Sequence, residues 1–321
     1  MRKRSIVLIT LLILAAVTSE SVGASRLPHD SISIQSDDEF VIENGVVGGS
    51  GTISDPYLIV GWTIDAQSGV GIRVQEVSAH VLIQDCQITG AGQRGIGILL
   101  SGVSQVRVLD CSFSDLGSGI FLYQSPGVSL EDNELVDCRR GIEGTESGVI
   151  TLLGNEIVES KEHGIFLWRC HDASLAGNTA LDCQNGIYLD SCHRNTLDEN
   201  RVEGADHGIF LWDCFDCVIV DNILSTCGLG LALVHTSERN TVFHNVFVMN
   251  ARHATCDEEG NLWDDGYPLG GNYWEGEPAA DAFSGPEQSQ PGADGISDVA
   301  IQILFTGIDR YPLMAVPAEG G

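Results

Sequence analysis

The chain has 321 residues, 43% of them apolar, with 38 glycines and a formal charge of −29. Past residue 24 its only lysine is Lys161, and acids outnumber Lys plus Arg 44 to 13. Such a surface repels phosphate backbones and argues against nucleic acid as a partner. The acids are dispersed and apolar residues are plentiful, so disorder is not implied either.

Arg2, Lys3 and Arg4 precede an apolar run from Ile6 to Val17, and Val22 and Ala24 stand before a cut at Ala24/Ser25. This is the pattern of a secretory signal over residues 1–24. The run is short for a membrane span, which needs about 20 residues. No later segment is long and apolar enough to cross a bilayer. The expectation is an exported protein, extracellular, periplasmic or at the cell surface.

Residues 25–70 read as an N-terminal segment and cap. From Gly71-Ile72 onward a repeat takes over: after a first step of 26, Gly97, Gly119, Gly141, Gly164, Gly186, Gly208 and Gly230 each precede Ile or Leu, at steps of 22 or 23. A second marker, Asn133, Asn155, Asn178, Asn200, Asn222 and Asn245, keeps the same period. The octets "HGIFLWRC" (His163 to Cys170) and "HGIFLWDC" (His207 to Cys214) therefore lie two repeats apart. Each unit holds two or three short alternating runs rich in Gly, Asn and Asp, too short for a helix of ten residues or more. A coil of short strands, each stacked on the next as a parallel sheet, fits best. The expected fold is all-β, a single-stranded right-handed parallel β-helix of about eight or nine coils over residues 71–260, closed by a C-terminal cap segment over 261–321.

The repeat "GIYLDSCHRNTLDEN" resembles that of pectate lyase-like β-helices, seen in carbohydrate-binding and sugar-hydrolase modules. Two flanking stretches narrow the likeness. "NGVVGGSGTISDPYLIVGWTIDA" (Asn44 to Ala66), and "NLWDDGYPLGGNYW" (Asn261 to Trp274) with "DRYPLM" (Asp309 to Met314), resemble the ends of NosD-like β-helix proteins. That resemblance covers most of the chain after residue 24. It implies the fold firmly and the chemistry weakly, because function lives in sites and not in folds. The family name implies a copper-related accessory role.

Counting the repeat Gly as zero, positions 1 and 3 alternate with 2 and 4 on opposite faces of the strand. Ile165/Leu167, Ile187/Leu189 and Ile209/Leu211 are then core. Tyr123, Phe166, Trp168, Tyr188, Phe210 and Trp212 face out and are the candidate ligand-binding residues. Either a loop or the C-terminal segment covers these rings, or they stack on sugars of a polysaccharide or glycan surface. Asp190 lies between Trp168 and Trp212 in one column, with Asp213 on the next coil, as candidate carboxylates for glycoside hydrolysis. The paired Asp, Gly-His-Gly and Arg-x-Lys motifs of polygalacturonases are absent.

Cys170, Cys192 and Cys214 share position 6 with Ser125, Ser147 and Thr236; Cys138, Cys183 and Cys227 share position 19 with Ser160 and Ala205; Cys86 and Cys111 fall in the Asn column. Three readings stay open: buried thiols, disulfides between adjacent coils, or metal. For copper, the pair to nominate is His171 and His193, at position 7 on adjacent coils, set against a reading as two solvated turn histidines. Near the C-terminus the resemblance implies an Asp-rich run, where Asp281, Asp294 and Asp298 are candidate calcium ligands or simply part of an acidic cap. Three function classes follow: a carbohydrate-binding protein with or without hydrolase activity, a copper-handling accessory protein, and a structural or adhesive module.

Overall fold

Short alternating runs broken by Asn, Asp and Gly cannot sustain a helix. In the computed structural model, which describes residues 26–277 and 279–317, the helical pieces are two 3-10 turns, Asp37–Glu39 and Ile42–Asn44. The signal expected over residues 1–24 lies outside the described residues. Three strands make a coil, as in Asn185–Asp190, Thr196–Asp198 and Arg201–Glu203. Each pairs in parallel with its counterpart one coil on, building sheets of 11, 9 and 11 strands. We name them the Gly-Ile sheet, the middle sheet and the Asn sheet. Nine coils carry all three strands, in a right-handed parallel β-helix. The stack begins at Leu27, in strands upstream of the Gly71 repeat.

Alternation along each strand sends one set of side chains inward. In one coil Ile187 and Leu189, Leu197 and Val202 are buried, and in-register pairing repeats these positions down the axis. Each such burial contributes on the order of 1.5–3 kcal/mol. One coil cannot enclose its own core, so the stack supplies it. The repeat Gly is required by space: a Cβ on Gly186 would meet the Gly208 carbonyl oxygen at 2.7 Å and Val202 Cγ1 at 2.3 Å. Successive coils touch there through backbone alone.

Turns bury polar groups, and the Asn column satisfies them. Asn155 Nδ2 donates to Asn178 Oδ1 at 2.9 Å and to the Leu130 carbonyl at 2.9 Å, while the Asn155 amide donates to the same Asn178 oxygen at 3.0 Å. The ladder runs on past Asn245 to Asn272, across a 27-residue step that the period did not show. A second ladder was not expected: Asn195, Asn240 and Asn261 serve the turn between the Gly-Ile and middle sheets. Other turn residues adopt left-handed backbone, among them Asp115, Asp137, Glu159 and Asp182 at one turn column. Asp tolerates that conformation through local hydrogen bonding, which accounts for part of the acidic composition.

The cysteines are core columns. All ten are free and buried, including Cys138, Cys170, Cys183, Cys192 and Cys227. Cys192 and Cys214 donate S–H to the Leu167 and Leu189 carbonyls one coil away, at 3.4 and 3.5 Å. Burial pushes the Cys170 thiol up to about 12 and the Cys138 thiol up to about 11. One expected position shifts: Thr236 is exposed, and Ser237 takes the column, its hydroxyl accepting from the Cys214 amide at 3.1 Å. An extra residue in that turn moves the small inward side chain by one.

The C-terminal segment ends the stack. Asp309, fully buried, accepts from the Asn272 amide and Trp274 Nε1, each at 2.8 Å, and from the Tyr311 amide at 3.1 Å, so a carboxylate terminates the main Asn ladder. Beside it, buried Asp264 holds the Arg310 guanidinium at 2.7 Å.

Two outcomes are expected. Denatured protein should titrate ten thiols and native protein almost none at pH 8, because buried thiols with raised pKa are neither ionised nor reachable. A count below ten after unfolding without reductant would reveal a disulfide. Burial pushes the Asp309 carboxyl up to about 6, above its usual carboxylate value, against the hydrogen bonds that lower it. The folded state therefore holds this proton more tightly. Its contribution is full at pH below the unfolded carboxylate range and is lost as pH rises through about 6. Unfolding free energy measured by denaturant titration from pH 4 to 8 should carry a falling component, on the order of 2–3 kcal/mol, that disappears in Asp309→Asn.

Candidate functional site

The same alternation that fills the core projects three columns outward from the Gly-Ile sheet. Register places Phe166, Tyr188 and Phe210 in one column, and Trp168, Asp190 and Trp212 in the next. A third column, one residue before the repeat Gly, holds Arg140, His163, Asn185 and His207. The first two columns were expected. The third was not, although it follows from extending the period of two by one residue N-terminally, into the His of the duplicated octet.

The rings form a continuous surface. His163 stacks on Phe166 at 4.9 Å between centroids, Phe166 meets Tyr188 at 5.5 Å, Tyr188 meets Phe210 edge-on at 5.1 Å, and Phe210 meets His207 at 5.2 Å. At the outer column the Arg169 guanidinium lies 4.4 Å over Trp168, and His235 lies 4.3 Å from Trp212. Trp212 keeps 38% of its surface exposed and Tyr123 keeps 39%. The C-terminal segment places its strand Leu304–Phe305 against Thr255–Cys256, at the end of the stack and not over these rings.

Charge on the face is largely internal. Arg140 binds Glu143 at 2.7 Å and Glu162 at 2.8 Å, and Ser118 Oγ donates to Glu143 at 2.7 Å. Burial, and then the nearby Arg140 cation, push His163 down to about 4, with Glu162 opposing, so its imidazole is neutral at pH 7. Asn185 joins the two histidines of its column: its amide contacts His163 Nδ1 at 3.2 Å and His207 Nδ1 at 2.8 Å. Asp190 accepts from Ser191 Oγ at 2.7 Å within the face. Asp213 instead sits in the following turn with left-handed backbone, accepting from Thr236 Oγ1 at 2.7 Å.

The remaining candidates lie elsewhere. His171 and His193 stack on adjacent coils at 6.1 Å between centroids, on the turn after the Gly-Ile sheet. His171 contacts Asp172, which is also held by Arg194, and His193 Nδ1 is buried with no hydrogen-bond partner. In the cap, Asp281 accepts from the Asp294 and Gly295 amides, Asp298 from the Ala282 and Phe283 amides, and Asp294 from the Ile296 amide. These carboxylates pin loop backbone. Among the described residues, no three His, Cys, Asp or Glu side chains group so as to hold a metal ion.

No curated protein matches the chain. Solved structures do. The periplasmic alginate epimerase AlgG aligns at 14% identity over 72% of this chain and 73% of its own, with a TM-score of 0.45. A GH136 lacto-N-biosidase from Eubacterium ramulus aligns at 12% identity over 68% of this chain and 54% of its own, TM-score 0.44. ORF18 of Geobacillus virus E2 aligns at 11% over 78% of this chain and 51% of its own, TM-score 0.51. At these identities the last of them speaks to the fold alone, and the first two add nothing to the argument. The family signal is of another kind: the model described as periplasmic copper-binding protein (NosD) matches residues 42–214 and 204–279, and the chain, with its coil repeat and its ends, belongs to the NosD family.

Proposed function

We propose that this protein binds a glycan chain along the outward face of its Gly-Ile sheet, outside the cytoplasm. The observation that carries the reading is the in-register column Trp168–Asp190–Trp212 beside a continuous run of partly exposed rings. Large aromatics on a solvated sheet face cost solubility unless they meet something, and their flat apolar faces match the C–H faces of sugar rings. Strand spacing puts the two tryptophans about 10 Å apart, on the scale of two sugar residues, with Asp190 between them. The residues 1–24 pattern and the periplasmic description of the family support the location. Cleavage is the finer part of the proposal, with Asp190 on the face and Asp213 in the turn after Trp212 as the carboxylates at hand.

Replacing Trp168 and Trp212 together by Ala should weaken polysaccharide binding at least about tenfold while costing under about 2 kcal/mol of stability, since neither ring belongs to the buried core. A loss of several kcal/mol with no glycan bound by the unmodified protein would sink the reading, because that is the cost of truncating buried aromatics.

A second reading, copper handling, is supported by the family description and by the stacked His171 and His193, one with a bare buried Nδ1. Its test is copper retained through dialysis at one equivalent and lost in the His171→Ala/His193→Ala variant. Copper washed out of the unmodified protein would end it.

A further inference from the structure

The duplicated octet places the same module twice on the face, an imidazole and an indole at the two ends of strands His163–Trp168 and His207–Trp212. Identical sequence suggests two equivalent subsites, but Asn185, in the coil between, makes them different. Its Nδ2 lies 3.2 Å from the Glu162 carbonyl, a group that only accepts, so the amide orientation is set. With Nδ2 on that side it donates to His163 Nδ1 at 3.2 Å, and its Oδ1 accepts from His207 Nδ1 at 2.8 Å. A neutral imidazole carries one proton. His163 therefore keeps its proton on Nε2 and offers a donor; His207 must carry a proton on Nδ1 to meet Oδ1, and in its neutral form it offers Nε2 as an acceptor. Among the described residues neither Nε2 has a hydrogen-bond partner, and neither is a buried orphan, so both remain for a ligand.

Between His163 and His207 the face holds no cation without an acid beside it; in this column Arg252, which has no ion pair among the described residues, stands two coils beyond His207. Arg140 is closed by Glu143 and Glu162, Arg169 lies over Trp168 and 3.7 Å from Glu146, and Asp190 adds a further acid. Nothing there compensates a carboxylate on a sugar, while rings, one imidazole donor and one imidazole acceptor suit hydroxyls.

Resting on the glycan reading above, we infer that the face takes an uncharged glycan, free of uronate carboxylates, and that the His163–Asn185–His207 column reads one hydroxyl acceptor and one hydroxyl donor about two strands apart. Because the two ends differ, the face distinguishes the two directions in which a sugar chain can lie.

The test has two arms. Nitrogen NMR of the histidine rings in the full protein at pH 7 should show His163 protonated on Nε2 and His207 on Nδ1; the same tautomer in both rings would overturn the directional part. In Asn185→Asp the carboxylate can only accept, so His163 should move its proton to Nδ1, and binding should fall about tenfold, the scale of one hydrogen bond, without loss of fold. Binding is then compared for neutral xylan oligosaccharides and oligogalacturonates of matched length, at low salt and at about 0.5 M, where long-range repulsion is screened to a few ångströms. The neutral chain should bind at least about tenfold tighter in both conditions. Equal or preferential binding of the uronate chain at high salt would overturn this inference and leave the aromatic face standing. Binding of neither would overturn the glycan reading along with it.

Discussion

Everything in this molecule depends on one constraint: each coil must turn an apolar or amide side chain inward at the same place as the coil before it. Parallel strand pairing satisfies the backbone only if register holds, and register holds only if apolar meets apolar and Asn meets Asn down the axis. The Asn ladders make an error expensive, because a misplaced coil strands buried amides on both sides. They also create a problem at the last rung, where an unanswered donor would be left. Asp309 solves it with oxygens alone, accepting from Asn272, Trp274 and Tyr311 at once. The adjoining Asp264–Arg310 pair ties the same Asp-Arg dipeptide to the loop that leads into the last Asn. The cap is thus an electrostatic stop built onto a repetitive stack.

Much of the fold was legible because that constraint writes itself as a period. The Gly before each apolar pair marks where coils touch, and no larger residue fits there. Places where the frame slipped are places where the chain changes length without changing geometry. The turn before Ser237 holds one extra residue, so counting from Gly230 lands on Thr236. The step from Asn245 to Asn272 swallows a loop, so the last rung lay outside the period. The outward rings were readable from alternation, and their being uncovered was not, since the path of the C-terminal segment follows from its pairing with Thr255–Cys256. Asn185 was hidden for another reason: at the head of a strand it looks like one more turn asparagine, and only three-dimensional contact shows it bridging two histidines.

The negative charge is partly a product of architecture. Turn positions with left-handed backbone favour Asp, Asn and Gly, and a solenoid repeats those positions in every coil. Several of the resulting carboxylates are answered by arginines one coil along, as in Asp172–Arg194 and Asp216–Arg239. Such exposed pairs contribute little stability individually. They do keep like charges in one column from facing each other, which leaves the excess acid spread as a general field. A polyanion approaching any side meets it, whatever the local site prefers.

A site laid along a stack of identical strands has a property that a pocket lacks. Its length is counted in whole coils, since the turns take up extra residues while the strand register holds. The two octets stand a fixed number of rungs apart, and no side-chain motion changes that interval. The face is therefore a ruler with graduations of about 4.8 Å. Duplicating one coil between His163 and His207 would shift the second imidazole and indole by one graduation together, preserving each module and altering only the repeat distance it measures.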